Sequence, residues 1–74
     1  MRIKIKLFAG LREGRFKVDD QEFADGCSVY DITASLGIFP NEIAYVQINN
    51  RPATINEILK DGDIVGLFPP IGGG

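Results

Sequence analysis

The chain has 74 residues, 45% of them hydrophobic, with eight Lys and Arg against ten Asp and Glu and a net charge of −2. That length fits one small domain, able to bury only about 60–65% of its unfolded surface. The charge balance excludes a broad cationic field for nucleic acid, and one cysteine without any histidine excludes an internal disulfide and the commonest metal ligand.

Met1 to Phe8 alternates strictly, with Ile3, Ile5 and Leu7 facing one way and Arg2, Lys4, Lys6 and Phe8 the other. A period of two predicts a half-buried strand. Ala9 to Gly14 reads as a connection. Arg15 to Asp19 alternates through Phe16 and Val18, which predicts a second strand in a hairpin with the first. A continuation towards Phe23 is less strongly signalled, because Asp19 and Asp20 are poor strand formers. Asp25-Gly26 marks a turn. Ser28 then offers an N-cap with Asp31 in the first turn, and Val29, Ile32 and Leu36 share one helical face. Gly37 can close this helix of about nine residues in the left-handed region, and Pro40 prevents its resumption.

Ile43 to Asn49 predicts a third strand with Ala44, Val46 and Ile48 inward. Asn49-Asn50-Arg51-Pro52 reads as a turn. Ile55, Ile58 and Leu59 form an apolar cluster suited to a short helical turn, and Asp61-Gly62-Asp63 is a further turn. Ile64 to Phe68 predicts the last strand, with Val65 and Leu67 on one face and Ile64 and Phe68 on the other. One sheet under one helix is a two-layer α+β architecture. Residues 1–68 form the domain, and residues 69–74 an extended, flexible tail.

Catalytic groups are scarce. Cys27 lacks an evident activating base and reads as a small buried hydrophobe. Asp61 and Asp63, like Asp19 and Asp20, read as solvated turn carboxylates rather than a cation site. Arg12-Glu13 reads as a solvated loop pair. No cluster of metal ligands is expected, and the chain is not expected to be an enzyme alone. Of the five phenylalanines only Phe8 and Phe16 lie near basic residues, too few for a base-stacking surface. No apolar run reaches membrane-spanning length and no basic-then-apolar leader opens the chain, so no membrane partner and a cytoplasmic location are expected.

The last seven residues, Phe68-Pro69-Pro70-Ile71-Gly72-Gly73-Gly74, carry the strongest functional signal. Three glycines cannot add to a core, and their ordering is entropically costly. They make sense if the terminal carboxylate of Gly74 is the working group and side-chain-free backbone must thread a narrow slot. The prolines restrict φ and hold such a tail away from the body. If the first and last strands lie side by side and parallel, Phe8 and Phe68 meet at the root of the tail, flanked by Lys6. That patch is expected to be a docking surface.

Lys6-Leu7-Phe8-Ala9 with Arg12-Glu13, then Asp61-Gly62-Asp63, then Phe68-Pro69-Pro70 and a Gly-Gly terminus together resemble the small subunit of molybdopterin synthase. More broadly, the whole chain resembles the ubiquitin-like sulfur carriers, which include the thiamine biosynthesis carrier. The Pro-Pro pair and the Phe-Ala-x-x-Arg-Glu stretch favour the molybdopterin branch; the triple glycine resembles some thiamine-type carriers. The resemblance implies a ubiquitin-like β-grasp fold, a mixed sheet of four to five strands on one helix. It also implies that a ubiquitin-activating-type adenylating enzyme, using ATP and magnesium, activates Gly74. A sulfur donor then forms a thiocarboxylate that delivers sulfur within a synthase large subunit. Gly72 and Gly73 carry over as the slot-threading segment, and Phe68, Pro69, Pro70 and Ile71 as its anchor; together with Phe8 of the docking patch these are the expected partner-binding residues. Two alternatives stand beside this: a ubiquitin-like modifier joined to lysines through Gly74, and a noncovalent interaction module.

Overall fold

The parity of apolar residues in the first strand decides the layering of the whole domain. A computed structural model of the chain describes residues 1–70. In order it contains β1 (Arg2–Leu7), a 3-10 turn at Ala9–Arg12, β2 (Val18–Glu22), α1 (Val29–Ser35), a 3-10 turn at Pro40–Glu42, β3 (Tyr45–Ile48), β4 (Arg51–Ala53) and β5 (Ile64–Phe68). The strands form one mixed sheet in the order β2-β1-β5-β3-β4. β1 pairs with β5 in parallel, and the other three pairings are antiparallel. This is the β-grasp, ubiquitin-like arrangement.

Ile3, Ile5 and Leu7 of β1 are completely buried, as are Val65 and Leu67 of β5. They meet Val29 and Ile32 of α1, with Val46, Leu11, Ile38 and Leu59 closing the core. Burial of each large aliphatic side chain contributes about 1.5–3 kcal/mol. At seven residues α1 has too few turns to persist alone and is held by this packing.

Its ends are nonetheless capped. Ser28 Oγ accepts from the Asp31 N–H at 3.2 Å while Asp31 Oδ2 accepts from the Ser28 N–H at 2.9 Å, a reciprocal capping box. At the C-terminus Gly37 takes φ +72°. The Gly37 N–H then donates to Ala34 O and the Ile38 N–H to Thr33 O, which is the Schellman pattern. Arg15 adds to this cap. Its Nε donates to Leu36 O at 3.1 Å, its Nη2 to Gly37 O at 3.3 Å and its Nη1 to Leu11 O at 3.1 Å, placing a cation at the negative end of the helix.

Four local expectations are corrected. β2 begins at Val18 and runs through Asp19, Asp20 and Gln21 to Glu22, three residues later than its alternation implied. It is an edge strand with one neighbour, so its register follows β1; Asp20 stands opposite Lys4, with the carboxylate 3.9 Å from the ammonium. Arg51 and Pro52 belong to β4 rather than to a turn. The turn itself is Asn49-Asn50, both at positive φ (54° and 66°), a two-residue hairpin of the type asparagine favours. Pro52 is tolerated because β4 is the opposite edge. Ala44 precedes β3 and is exposed, because the chain enters that strand from the Pro40–Glu42 turn. Ile58 is 61% exposed and forms an isolated antiparallel bridge with Ser28 instead of a helical turn; Leu59 alone of that cluster is buried.

The Asp61-Gly62-Asp63 turn is built as expected, with Gly62 at φ +87°, but its carboxylates are engaged. Asp61 Oδ1 accepts from the Arg2 N–H at 2.7 Å. Asp63 accepts from the Lys60 N–H and from Asn49 Nδ2, both at 2.9 Å, and Asn49 Oδ1 accepts from the Ile64 N–H. The two turns that flank β5 at its start are thus tied to each other.

The capping box makes α1 sensitive to acid. Hydrogen bonds from the Ser28 backbone and hydroxyl hold the Asp31 carboxyl below its ordinary value of 3.8. A lowered folded-state pKa means the carboxylate's contribution is complete above 3.8 and is lost as pH falls through the lower folded value. Thermal unfolding of the wild type and Asp31→Asn, followed from neutral to strongly acidic pH, checks this. The gap between their melting temperatures should shrink towards the acid end; a constant gap would refute the assignment.

Candidate functional site

Because β1 and β5 are parallel and in register from Lys4↔Ile64 to Leu7↔Leu67, their C-terminal ends finish together. Phe8 follows β1 on the face opposite the core, and Phe68 ends β5 on that same face. The rings stack with centroids 4.1 Å apart and planes 9° from parallel. Tyr45, opposite Phe68 in the β3–β5 ladder, adds a third ring at 5.4 Å and 51°. The tilted Tyr45–Phe68 pair is of the kind that contributes about 0.5–1.5 kcal/mol beyond its buried area, whereas the Phe8–Phe68 rings lie closer and more nearly parallel than that preferred range.

Two features hold the rings in place. Gly66 lies on the outer face between them: a Cβ there would meet Phe68 Cε1 at 3.4 Å and Phe8 Cε2 at 3.6 Å. Both are ordinary contact distances, so the rings lie over the Gly66 backbone with room for a methyl group and nothing larger. On the other side, Arg12 Nε donates to Leu7 O at 2.7 Å, which caps the end of β1 and holds the guanidinium carbon 5.6 Å from the Phe8 ring centroid. Between Phe8 and Arg12, Ala9 sits at φ +49°, a left-handed conformation that costs a non-glycine residue about 1 kcal/mol or more. That residue turns the chain sharply off β1 and leaves Phe8 at a corner.

Phe8, Ala9, Ala44, Tyr45, Phe68, Pro69 and Pro70 line a hollow of about 410 Å³ with an almost wholly apolar surface. Phe8 and Phe68 are half-buried by each other and Tyr45 is 41% exposed. Of the residues expected to bind a partner, Phe8, Phe68, Pro69 and Pro70 come together here. Ile71, Gly72, Gly73 and Gly74 lie outside the described residues. Sequence reasoning missed Tyr45, Gly66 and the role of Arg12. Tyr45 was recoverable from parity, since it faces opposite to Val46, and Gly66 from its position within an apolar strand.

A larger hollow of about 500 Å³ lies at the far end of the sheet, around Asn49, Arg51, Glu57, Lys60 and Asp63. Its Asn49 and Asp63 side chains are consumed by the turn-to-turn hydrogen bonds. Cys27 is half-buried, its Sγ 3.7 Å from Ser28 O. Burial, reinforced by the nearby Asp31 charge, pushes the thiol pKa up and keeps the sulfur protonated. Among the described residues no three His, Cys, Asp or Glu side chains stand close enough to hold a metal ion, and no helix is long and apolar enough to cross a membrane.

Residues 5–74 match the model of the ThiS family, so the chain belongs to that family of ubiquitin-like sulfur carriers. Solved structures agree. The HVO 2177 protein of Haloferax volcanii is 29% identical, with a TM-score of 0.79 over 100% of this chain and 87% of that one. The molybdopterin converting factor subunit 1 of Pyrococcus furiosus is 28% identical, with a TM-score of 0.76 over 96% and 99% of the two chains. SAMP1, the small archaeal modifier protein 1 of Haloferax volcanii, is 27% identical, with a TM-score of 0.75 over the full length of both.

The role given to Gly66 has a direct test. Gly66→Ala should leave the stack nearly intact, since its methyl group would meet the Phe68 ring at 3.4 Å, an ordinary contact. Gly66→Val should instead displace the rings and cost about 1–3 kcal/mol. Ring-current shifts of Phe8 and Phe68 in the proton NMR spectrum report the stacking. Unchanged shifts in Gly66→Val would show that a small residue at this position is not what allows the rings to lie flat.

Proposed function

We propose that this ThiS-family protein carries sulfur as a thiocarboxylate on Gly74 and donates it in molybdopterin biosynthesis. One observation supports the reading above others. The Phe8–Phe68 stack, with Tyr45 and Pro69-Pro70, forms an apolar surface immediately ahead of the Gly-rich terminus. Two aromatic rings held by a glycine, an arginine and a strained alanine are more than the core requires. Buried aromatic anchors of this sort dominate binding at protein interfaces.

The chemistry needs a partner because a carboxylate is a poor electrophile. An adenylating enzyme of the ubiquitin-activating type would supply ATP and magnesium. The Gly74 carboxylate attacks the α-phosphorus, diphosphate leaves, and the carbonyl carbon is left bonded through oxygen to AMP. A hydrosulfide equivalent from a sulfur donor attacks that carbon, and AMP departs with the former carboxylate oxygen. Sulfur has replaced one oxygen, and the thiocarboxylate then serves as the nucleophile inside a synthase large subunit. In this division of labour the domain's own residues bind and orient, and only the terminal carboxyl group reacts. The platform of Phe8, Phe68 and Pro69 would seat against the activating enzyme or the synthase, while Gly72 and Gly73 pass through a slot too narrow for side chains.

Likeness to SAMP1 favours a second reading, a modifier joined through Gly74 to lysine amines of other proteins. A thiamine-type carrier is the nearest variant of the first, differing only in the acceptor.

Intact-mass spectrometry separates these readings. After incubation with the adenylating enzyme, ATP, magnesium and a sulfur donor, the protein should gain the mass difference between sulfur and oxygen. A chain lacking Gly73 and Gly74 should not. Subsequent loss of that sulfur to a pterin precursor, and not to a thiazole precursor, fixes the acceptor. Absence of the sulfur-bearing species with an enzyme of proven competence refutes the carrier reading, and reductant-resistant adducts on lysines in its place would establish the modifier.

A further inference from the structure

Beside the aromatic platform, on the β2 side, Lys6, Leu7, Phe8, Arg12, Lys17 and Val18 surround a shallow hollow of about 220 Å³. Its floor is apolar and its three charges are all positive. That is unexpected in a molecule of net charge −2. None of the acids close in sequence lines it. Asp20 faces Lys4, and Asp19 accepts from Gln21 Nε2 at 3.1 Å. Glu13, next to Arg12 in sequence, does not line the hollow. Among the described residues neither Lys6, Arg12 nor Lys17 forms an ion pair.

Arg12 is more than a surface charge. Its Nε–H is bonded to Leu7 O and its guanidinium carbon lies 5.6 Å from the Phe8 ring centroid, so the side chain is positioned before any partner arrives. Its Nη1 and Nη2 groups donate to no atom among the described residues. A planar fork with two outward donors matches the two oxygens of a carboxylate, and an arginine already ordered loses less entropy on pairing than a free one.

We infer that this face is the cationic half of the docking surface, built for a partner protein that presents carboxylates beside an apolar pocket: an acidic side chain on the Arg12 fork, further acids opposite Lys6 and Lys17, and the apolar pocket over Phe8 and Phe68. The inference deepens the sulfur-carrier reading and rests on it for the partner's identity as the adenylating enzyme, though not for the chemistry of the face. Charge and platform divide the work. The cations raise the encounter rate and set the angle of approach, and the rings supply the contact that persists.

Two measurements test it. In the first, the isotopically labelled protein is titrated with a synthetic peptide alternating glutamate and phenylalanine, and amide and Arg12 Nε–H resonances are followed. Saturable shifts at Lys6, Phe8, Arg12 and Lys17 are expected, abolished in the combined variant Lys6→Gln, Arg12→Gln, Lys17→Gln. Shifts spread equally to Arg51 and Lys60 would overturn the inference. In the second, association with the adenylating enzyme is measured against ionic strength. The wild-type rate should fall with salt. The combined variant should associate on the order of tenfold more slowly at low salt and show a flattened salt dependence. Arg12→Lys, which keeps the charge but loses the fork, should preserve the association rate and dissociate several-fold faster. A wild-type protein that acquires the thiocarboxylate yet associates at a salt-independent rate overturns the cationic face and leaves the carrier reading standing. A protein that passes the peptide titration but never acquires sulfur does the reverse.

Discussion

The parallel pairing of β1 with β5 is the constraint on which everything else depends. Parallel neighbours end at the same edge of a sheet, so the residue after β1 and the residue that ends β5 become neighbours despite lying at opposite ends of the sequence. Buried Ile3, Ile5, Leu7, Val65 and Leu67 fix which face turns inward, and a slip of one residue would invert both strands. Phe8 and Phe68 therefore project outward together. Their contact is a consequence of core parity rather than a separate device.

Once that pair exists, the surrounding residues act on it. Gly66 removes the Cβ that would stand beneath the rings, Arg12 closes the end of β1 while lying against Phe8, and Ala9 accepts a strained conformation that swings the chain aside. At the opposite end of the sheet the Asn49–Asp63 network ties the β3–β4 turn to the start of β5. The last strand is thereby held at both of its ends. Such a point of attachment suits the proposed role, because the reacting carboxyl group must reach a partner's active site from it.

The elements legible in the sequence are those whose signal is local. β1 and β5 are readable from alternation, and α1 from Ser28, Asp31 and Gly37. Alternation places β2 too early because an edge strand reading Val-Asp-Asp-Gln-Glu carries no apolar period; its register comes from β1, across the hairpin. Pro52 suggests a turn, since proline's missing donor is tolerated only at an edge, and edge position is a property of the finished sheet. The Asn49–Asp63 bonds join residues far apart in sequence and leave no trace in either turn's composition. The site divides the same way: the Phe8–Phe68 contact follows from parity and pairing, whereas Arg12 looks like any exposed arginine until the Leu7 carbonyl and the Phe8 ring are seen beside it.

The central claim is that the aromatic platform exists to present a terminal carboxyl group for activation. ATP–diphosphate exchange catalysed by the adenylating enzyme, measured against carrier concentration, addresses it most directly, because exchange requires only docking and adenylation. The account predicts that Phe68→Ala raises the carrier's KM by about thirtyfold or more, as loss of about 2 kcal/mol from a binding hot spot would, and that removal of Gly73 and Gly74 abolishes exchange altogether. Undiminished exchange with the truncated chain, or a KM indifferent to Phe68→Ala, would contradict it.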